Sequence, residues 1–183
     1  MQSRTQTLIF RKSRHPVLAE LFAYSSKGVG GLNLIGFGKY SHTLKEKIIF
    51  LCKERGIRLP FKKYVLCIEN SDCLKDLDFD DLRWIELPLL LLLLKISDQL
   101  QVCNLSTCIS SGKINMNFMV IIPHIDKDKW QDLIKKWNIE KFTYIGEFLT
   151  NQHESLDDVC YLSLMQMMQP LELAGSGFEQ VHY

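Results

Sequence analysis

Gly31-Leu-Asn-Leu-Ile-Gly36, then Thr43-Leu-Lys-Glu-Lys-Ile-Ile-Phe-Leu-Cys-Lys-Glu-Arg55-Gly56, Pro60, Lys63-Tyr-Val-Leu-Cys-Ile-Glu69 and Ile85-Glu-Leu-Pro88 is the run that decides the fold. It reads as a strand, a charged helix, a second strand and the entry to a second helix. In the first helix Leu44, Ile48, Leu51 and Cys52 recur at helical spacing and form one apolar stripe. Ser41 or Thr43 is expected to cap its start and Gly56 to end it. After Pro88 come six consecutive leucines, Leu89 to Leu94, which leave no polar face. A helix of that kind must be buried on nearly every side. Pro88 suits a first helical position, where a missing amide proton costs nothing.

Working outward, Thr7–Phe10 and Val17–Tyr24 read as strands, with Pro16 at the entry of the second. The glycine-rich turn 25–31 and the strand Leu32–Phe37 then suggest a hairpin. Asn70–Asp81 reads as a solvated acidic loop, since Asp72, Asp76, Asp78, Asp80 and Asp81 lack the spacing of a calcium loop. Gly112 marks a turn, Phe118–Ile122 a core strand, Lys129–Trp137 a helix capped by Asp126 or Asp128, Lys141–Ile145 a short strand and Ser155–Met168 a last helix. Residues 1–169 are expected to form one domain, and residues 170–183 a tail or the start of a linker.

This order and spacing of elements resembles the N-terminal, Lon-protease-like domain of the magnesium-chelatase-like AAA+ proteins of the ComM (YifB) family. The matching residues are Ile35-Gly36, the helix with Lys45, Glu46 and Lys47, then Gly56, Pro60, Val65–Ile68 and Ile85-Glu86-Leu87-Pro88. The resemblance covers roughly residues 7–122. It implies an α/β (α+β) fold, a mostly antiparallel sheet layered with helices and a left-handed βαβ crossover. It also implies a place in DNA processing, where full-length relatives carry an ATPase, form rings and act in DNA branch migration during natural transformation. The chain departs from that pattern by ending at Tyr183, about where the linker to the ATPase would begin, so no motor is expected within these residues. It also lacks the segment that in relatives precedes the strand matched by Phe118–Ile122, and its acidic loop lacks the glycines usual in the family.

Net charge is +1 over 183 residues, but it is unevenly spread. Residues 1–63 hold 13 Lys and Arg against 3 Asp and Glu, a net of +10, and residues 64–183 a net of −9. Such segregation points to an anionic partner, nucleic acid before membrane. The basic set is Arg11, Lys12, Arg14, Lys27, Lys39, Lys45, Lys47, Lys53, Arg55, Arg58, Lys62 and Lys63, together with Arg4. Of the aromatics among them, Phe10, Phe22, Tyr24, Phe37, Tyr40, Phe50 and Phe61, most are expected to alternate into the core. Binding should then be backbone-directed and largely indifferent to sequence. The six cysteines form no Cys-x-x-Cys pair, and Cys52 and Cys67 fall on apolar positions. Their reduced state, and a start without a signal peptide, imply a cytoplasmic setting.

Other chemistry is not expected. Ser110-Ser-Gly-Lys113-Ile114 lacks the first glycine and the magnesium-binding hydroxyl of a phosphate loop and reads as a turn. The helix entry Trp84-Ile-Glu-Leu-Pro88 has no serine, threonine or cysteine for a Lon-type nucleophile. His124-Ile-Asp126-Lys-Asp128 reads as helix capping rather than a metal site. No catalytic residue, cofactor or metal is therefore expected. The favoured reading is a non-catalytic Lon-like module that binds nucleic acid or takes part in ring assembly as a homo-oligomer. The alternatives are a module docking on a separate AAA+ ATPase and a hydrolase with an unrecognised site.

Overall fold

The computed structural model describes residues 1–11, 14–100, 105–116, 120–121, 132–133, 135–137, 142–146 and 159–163. Strands β1 (Gln2–Arg11) and β2 (Arg14–Ser26) form a long antiparallel hairpin, with a bulge between Ile9 and Arg11. The extra residue is on β2, where His15–Pro16 stand against Phe10 alone, which fits a strand residue with no amide proton to give. β3 (Gly31–Ile35), α1 (Ser41–Glu54) and β4 (Lys63–Ile68) form a βαβ unit whose strands pair in parallel. A short α2 (Phe79–Leu82) runs through a 3-10 turn, Arg83–Ile85, into α3 (Glu86–Ile96). Then come β5 (Cys108–Ser110), β6 (Lys113–Ile114), β7 (Val120–Ile121), β8 (Phe142–Gly146) and β9 (Val159–Ser163).

The main sheet has the order β3-β4-β2-β1-β5-β8-β9, with β6 and β7 pairing separately. The α/β (α+β) class is as expected. The sheet, however, is mixed rather than mostly antiparallel: β1–β2 and β2–β4 are antiparallel, whereas β3–β4, β1–β5, β5–β8 and β8–β9 are parallel. Parallel neighbours need long connections, and α1 supplies the one between β3 and β4. The expected β2–β3 hairpin does not form either. β4 lies between those strands, because five of its six residues, Tyr64 to Ile68, are buried. β3, with Asn33 and Ile35 exposed, takes the edge.

The core lies between one face of this sheet and the helices. Leu44, Ile48, Leu51 and Cys52 of α1 are all buried, as their spacing requires. So is every residue of α3 except Lys95. Ser41 does not cap α1. Tyr40 holds that position in helical conformation after a 3-10 turn, and the Ser41 hydroxyl donates back to the Gly38 carbonyl at 2.9 Å. Gly56, at a φ of 64°, ends the helix.

Three further expectations change. Of Phe118–Ile122 the described pair Val120–Ile121 is a short strand outside the main sheet, with Ile121 exposed. Val159–Ser163 is a strand within the expected last helix, because Val159 and Tyr161 suit a sheet and β8 offers an edge to pair with. The acidic loop is partly ordered, with Asn70 and Asp78 accepting backbone N–H bonds from Asp72 and Asp81. Asp126, Asp128, His124 and residues 170–183 lie outside the described residues, while Asp132–Leu133 and Lys135–Trp137 are helical as read. No helix among the described residues is long and apolar enough to cross a membrane.

Two outcomes follow for stability. Leu92 is fully buried, so Leu92→Ala should cost about 2–5 kcal/mol in a urea titration. Burial pushes the Cys52 thiol up to about 11. The folded chain then holds a proton that the unfolded chain releases, so this contribution is complete below the ordinary thiol range and is lost as pH rises through the folded value. Unfolding free energies measured under reducing conditions should fall with a steeper alkaline slope in the parent than in Cys52→Ala, by up to about 1.4 kcal/mol per pH unit.

Candidate nucleic-acid interface

The twelve cations do not form one face. Lys47 leaves the set altogether. Its Nζ lies 2.6 Å from Glu86 Oε1 with its side chain only 14% exposed, and Glu86 is 1% exposed. Arg83 Nε donates to the same oxygen at 2.9 Å, and the Ile114 N–H donates to Oε2 at 2.7 Å. Burial lowers the Lys47 pKa, while the bond to Glu86 opposes that shift. Its charge is therefore spent inside the fold. Around this carboxylate Lys113 pairs with Asp80 at 2.8 Å and sits over the Trp84 ring, which meets Phe10 edge-on.

The same corner shows why Pro88 belongs where it is. It is the third residue of α3 rather than the first, and it cannot donate to the carbonyl four residues back, Trp84. That carbonyl instead accepts the Gly112 N–H at 2.9 Å, and the Leu87 N–H donates to the Gly112 carbonyl. Gly112 allows this approach because a side chain there would lie 2.9 Å from Val120 and 3.1 Å from Leu87. The stretch 110–114 is thus a strand end docked on a helix start. Ser111 donates to the Leu8 carbonyl.

Strand register sorts the remaining cations. Ser26 pairs with Lys63, and Lys63 with Gly31, so the end of β2 and the starts of β3 and β4 lie side by side. α1 runs back from the far end of β3 and delivers its C-terminus to this same end. Lys27, Lys53, Arg55, Arg58, Lys62 and Lys63 therefore converge on one end of the sheet. Lys27, Lys53, Arg58 and Lys63 are exposed and Lys62 half-buried. Arg55 already has a partner. Asp98 lies close by: with burial as the larger cause, its charge holds the Tyr64 phenol above its ordinary range.

At the opposite end Lys39 follows β3, while Arg11 ends β1 and Arg14 begins β2. Arg11 donates to the Cys73 carbonyl and is half-buried, and Lys39 rests over Tyr40. Lys12 and the Arg14 side chain lie outside the described residues. Glu20 and Glu69 sit together at this end, and burial first, then mutual repulsion, raises the Glu20 pKa. Lys45 is half-buried on the first half of α1, and Arg4 pairs with Glu20 at 3.7 Å. The Lys27–Lys63 end groups the larger number of exposed cations among the described residues, Lys27, Lys53, Arg58 and Lys63.

The expectation that most of the aromatics turn inward fails. Phe37 is buried, but Phe22, Tyr24, Phe50 and Phe61 are exposed, Phe61 at 85%. Sequence reading missed Phe61 as a surface group, although its place in Arg58-Leu-Pro-Phe-Lys-Lys63, directly after a turn proline and before two lysines, was a usable signal. No protein-family model matches the chain, and no curated protein matches it.

The division of roles gives a direct contrast. Lys47→Met should lower stability by about 2–4 kcal/mol, since it leaves a buried carboxylate one donor short. Lys63→Gln should change stability by less than about 0.5 kcal/mol. Urea titrations of both variants measure the difference.

Proposed function

We propose that this chain is a Lon-like module of the ComM type, left-handed crossover included, that works in DNA processing by binding the nucleic-acid backbone. The observation that carries the reading is the register of β2, β4 and β3, which gathers Lys27 from the turn after β2, Arg58 and Lys62 from the loop after α1, and Lys63 from the start of β4 at one sheet end. Exposed lysines on short loops suit phosphate oxygens, which need charge and reach rather than fixed geometry. Lysines outnumber arginines among the described residues at this end, so affinity should be salt-dependent and nearly sequence-blind.

A second reading, docking on a separate AAA+ ATPase or on another copy of the chain, draws on β3. That strand ends the sheet with one side unpaired among the described residues, and such an edge can accept an added strand. The proposed cationic site and this edge share the Gly31 end of β3, so one partner could use both.

Fluorescence anisotropy with labelled DNA over about 50 to 200 mM salt tests the first reading. Binding should weaken steeply with salt. Reversing Lys27 and Lys63 together should lower the log–log slope by about 1.4–1.8, whereas Lys39→Glu at the other end should leave it nearly unchanged. Absence of binding at the lowest salt would remove nucleic acid from the reading.

A further inference from the structure

Phe61 stands out within the cationic end because its ring is supported on one side and open on the other. Gly30 lies directly against it: a β-carbon at Gly30 would come within 2.8 Å of two ring carbons. A phenyl group 85% exposed gains little from folding and remains available to a partner. Here it projects from a short turn held by the Lys62 N–H to Pro60 carbonyl bond at 2.8 Å and by the Gly31 N–H to Lys62 carbonyl bond at 3.1 Å. Val29, 86% exposed, adds a second apolar side chain on the neighbouring turn. Lys27, Lys62 and Lys63 flank the pair in sequence and register, and Arg58 precedes it by three residues.

A flat ring backed by a glycine, on a sheet end that carries cations, has the two parts that a single strand requires. The open ring face takes a base, and the cations take the phosphates on either side. A duplex cannot use the ring, because its base faces are already covered by their stacking neighbours, and only its phosphates remain accessible. We infer that Phe61 is a base-stacking platform and that the partner of this sheet end is single-stranded nucleic acid in preference to duplex. The inference rests on the nucleic-acid reading above and refines it. Gly30 is then a positioning residue, since any side chain there would lift the ring from its support.

The test measures binding of a labelled single-stranded deoxythymidine oligonucleotide, a duplex of the same length, and phosphatidylserine–phosphatidylcholine vesicles. The parent should prefer the single strand. Phe61→Ala should weaken that binding about 5- to 100-fold while changing duplex binding less than about twofold. Phe61→Trp should retain single-strand affinity and show added tryptophan quenching on binding, a signature that a merely structural role would not produce. Gly30→Val should weaken single-strand binding in the same direction as Phe61→Ala. Because Phe61 is exposed, Phe61→Ala should unfold at the parent's urea midpoint. Equal affinity for single strand and duplex, with Phe61→Ala reducing neither, would overturn the stacking platform and leave backbone binding intact. Binding to neither nucleic acid, with or without capture by the vesicles, would overturn both readings together.

Discussion

The carboxylate of Glu86 is the point on which the rest of the molecule depends. A buried carboxylate without partners would cost several kcal/mol, and this one is almost completely enclosed. It is held by Lys47 from α1, Arg83 from the turn before α3 and the Ile114 N–H from β6. Three separate parts of the chain are therefore fixed relative to one charge. Its position in the first turn of α3 adds favourable interaction with the helix dipole. Beside it, the carbonyl released by Pro88 is taken by Gly112. Leucine burial supplies the driving force for packing α3, but it is non-directional. The polar corner sets the depth and rotation at which the helix docks.

That anchoring also decides what the surface can do. Once Lys47 neutralises Glu86, and Lys113 and Arg83 are engaged with Asp80, the charges left for a partner are those carried to the sheet ends by the strands. The far end mixes signs, with Glu20 and Glu69 among Arg11 and Lys39, and so offers no uniform field. The near end has Asp98 close by, but joins more cations, from the turn after β2, the loop after α1 and the start of β4. The net of +10 in the first 63 residues is thus an accounting of the chain, while the usable field belongs to a smaller group.

Parts of this were readable residue by residue. The stripe Leu44, Ile48, Leu51 and Cys52 has a single helical solution, and six leucines in a row permit only an enclosed helix. Gly56 marked a real helix end. The reading failed where local signals competed with sheet pairing. Val159–Ser163 sits in a helix-like stretch but pairs with β8, and a glycine-rich turn after β2 looked like a hairpin although β4 claims the place beside β2. Ser41 had the residue type of a cap, yet the preceding 3-10 turn placed it inside the helix. Phe61 stood among seven aromatics most of which were expected to alternate into the core, whereas its turn leaves it in solvent.

By itself, then, the amino-acid order determined the periodic elements and the overall α/β character, because burial of apolar side chains at spacings of two or three to four residues is a local constraint. It also determined that the basic residues crowd the first third of the chain. Which of them remain free, which one is consumed inside the protein, and which aromatic ring stands beside them were decided only by tertiary structure. Those outcomes depend on strand order and register, and register brings together residues that the linear sequence keeps more than thirty positions apart.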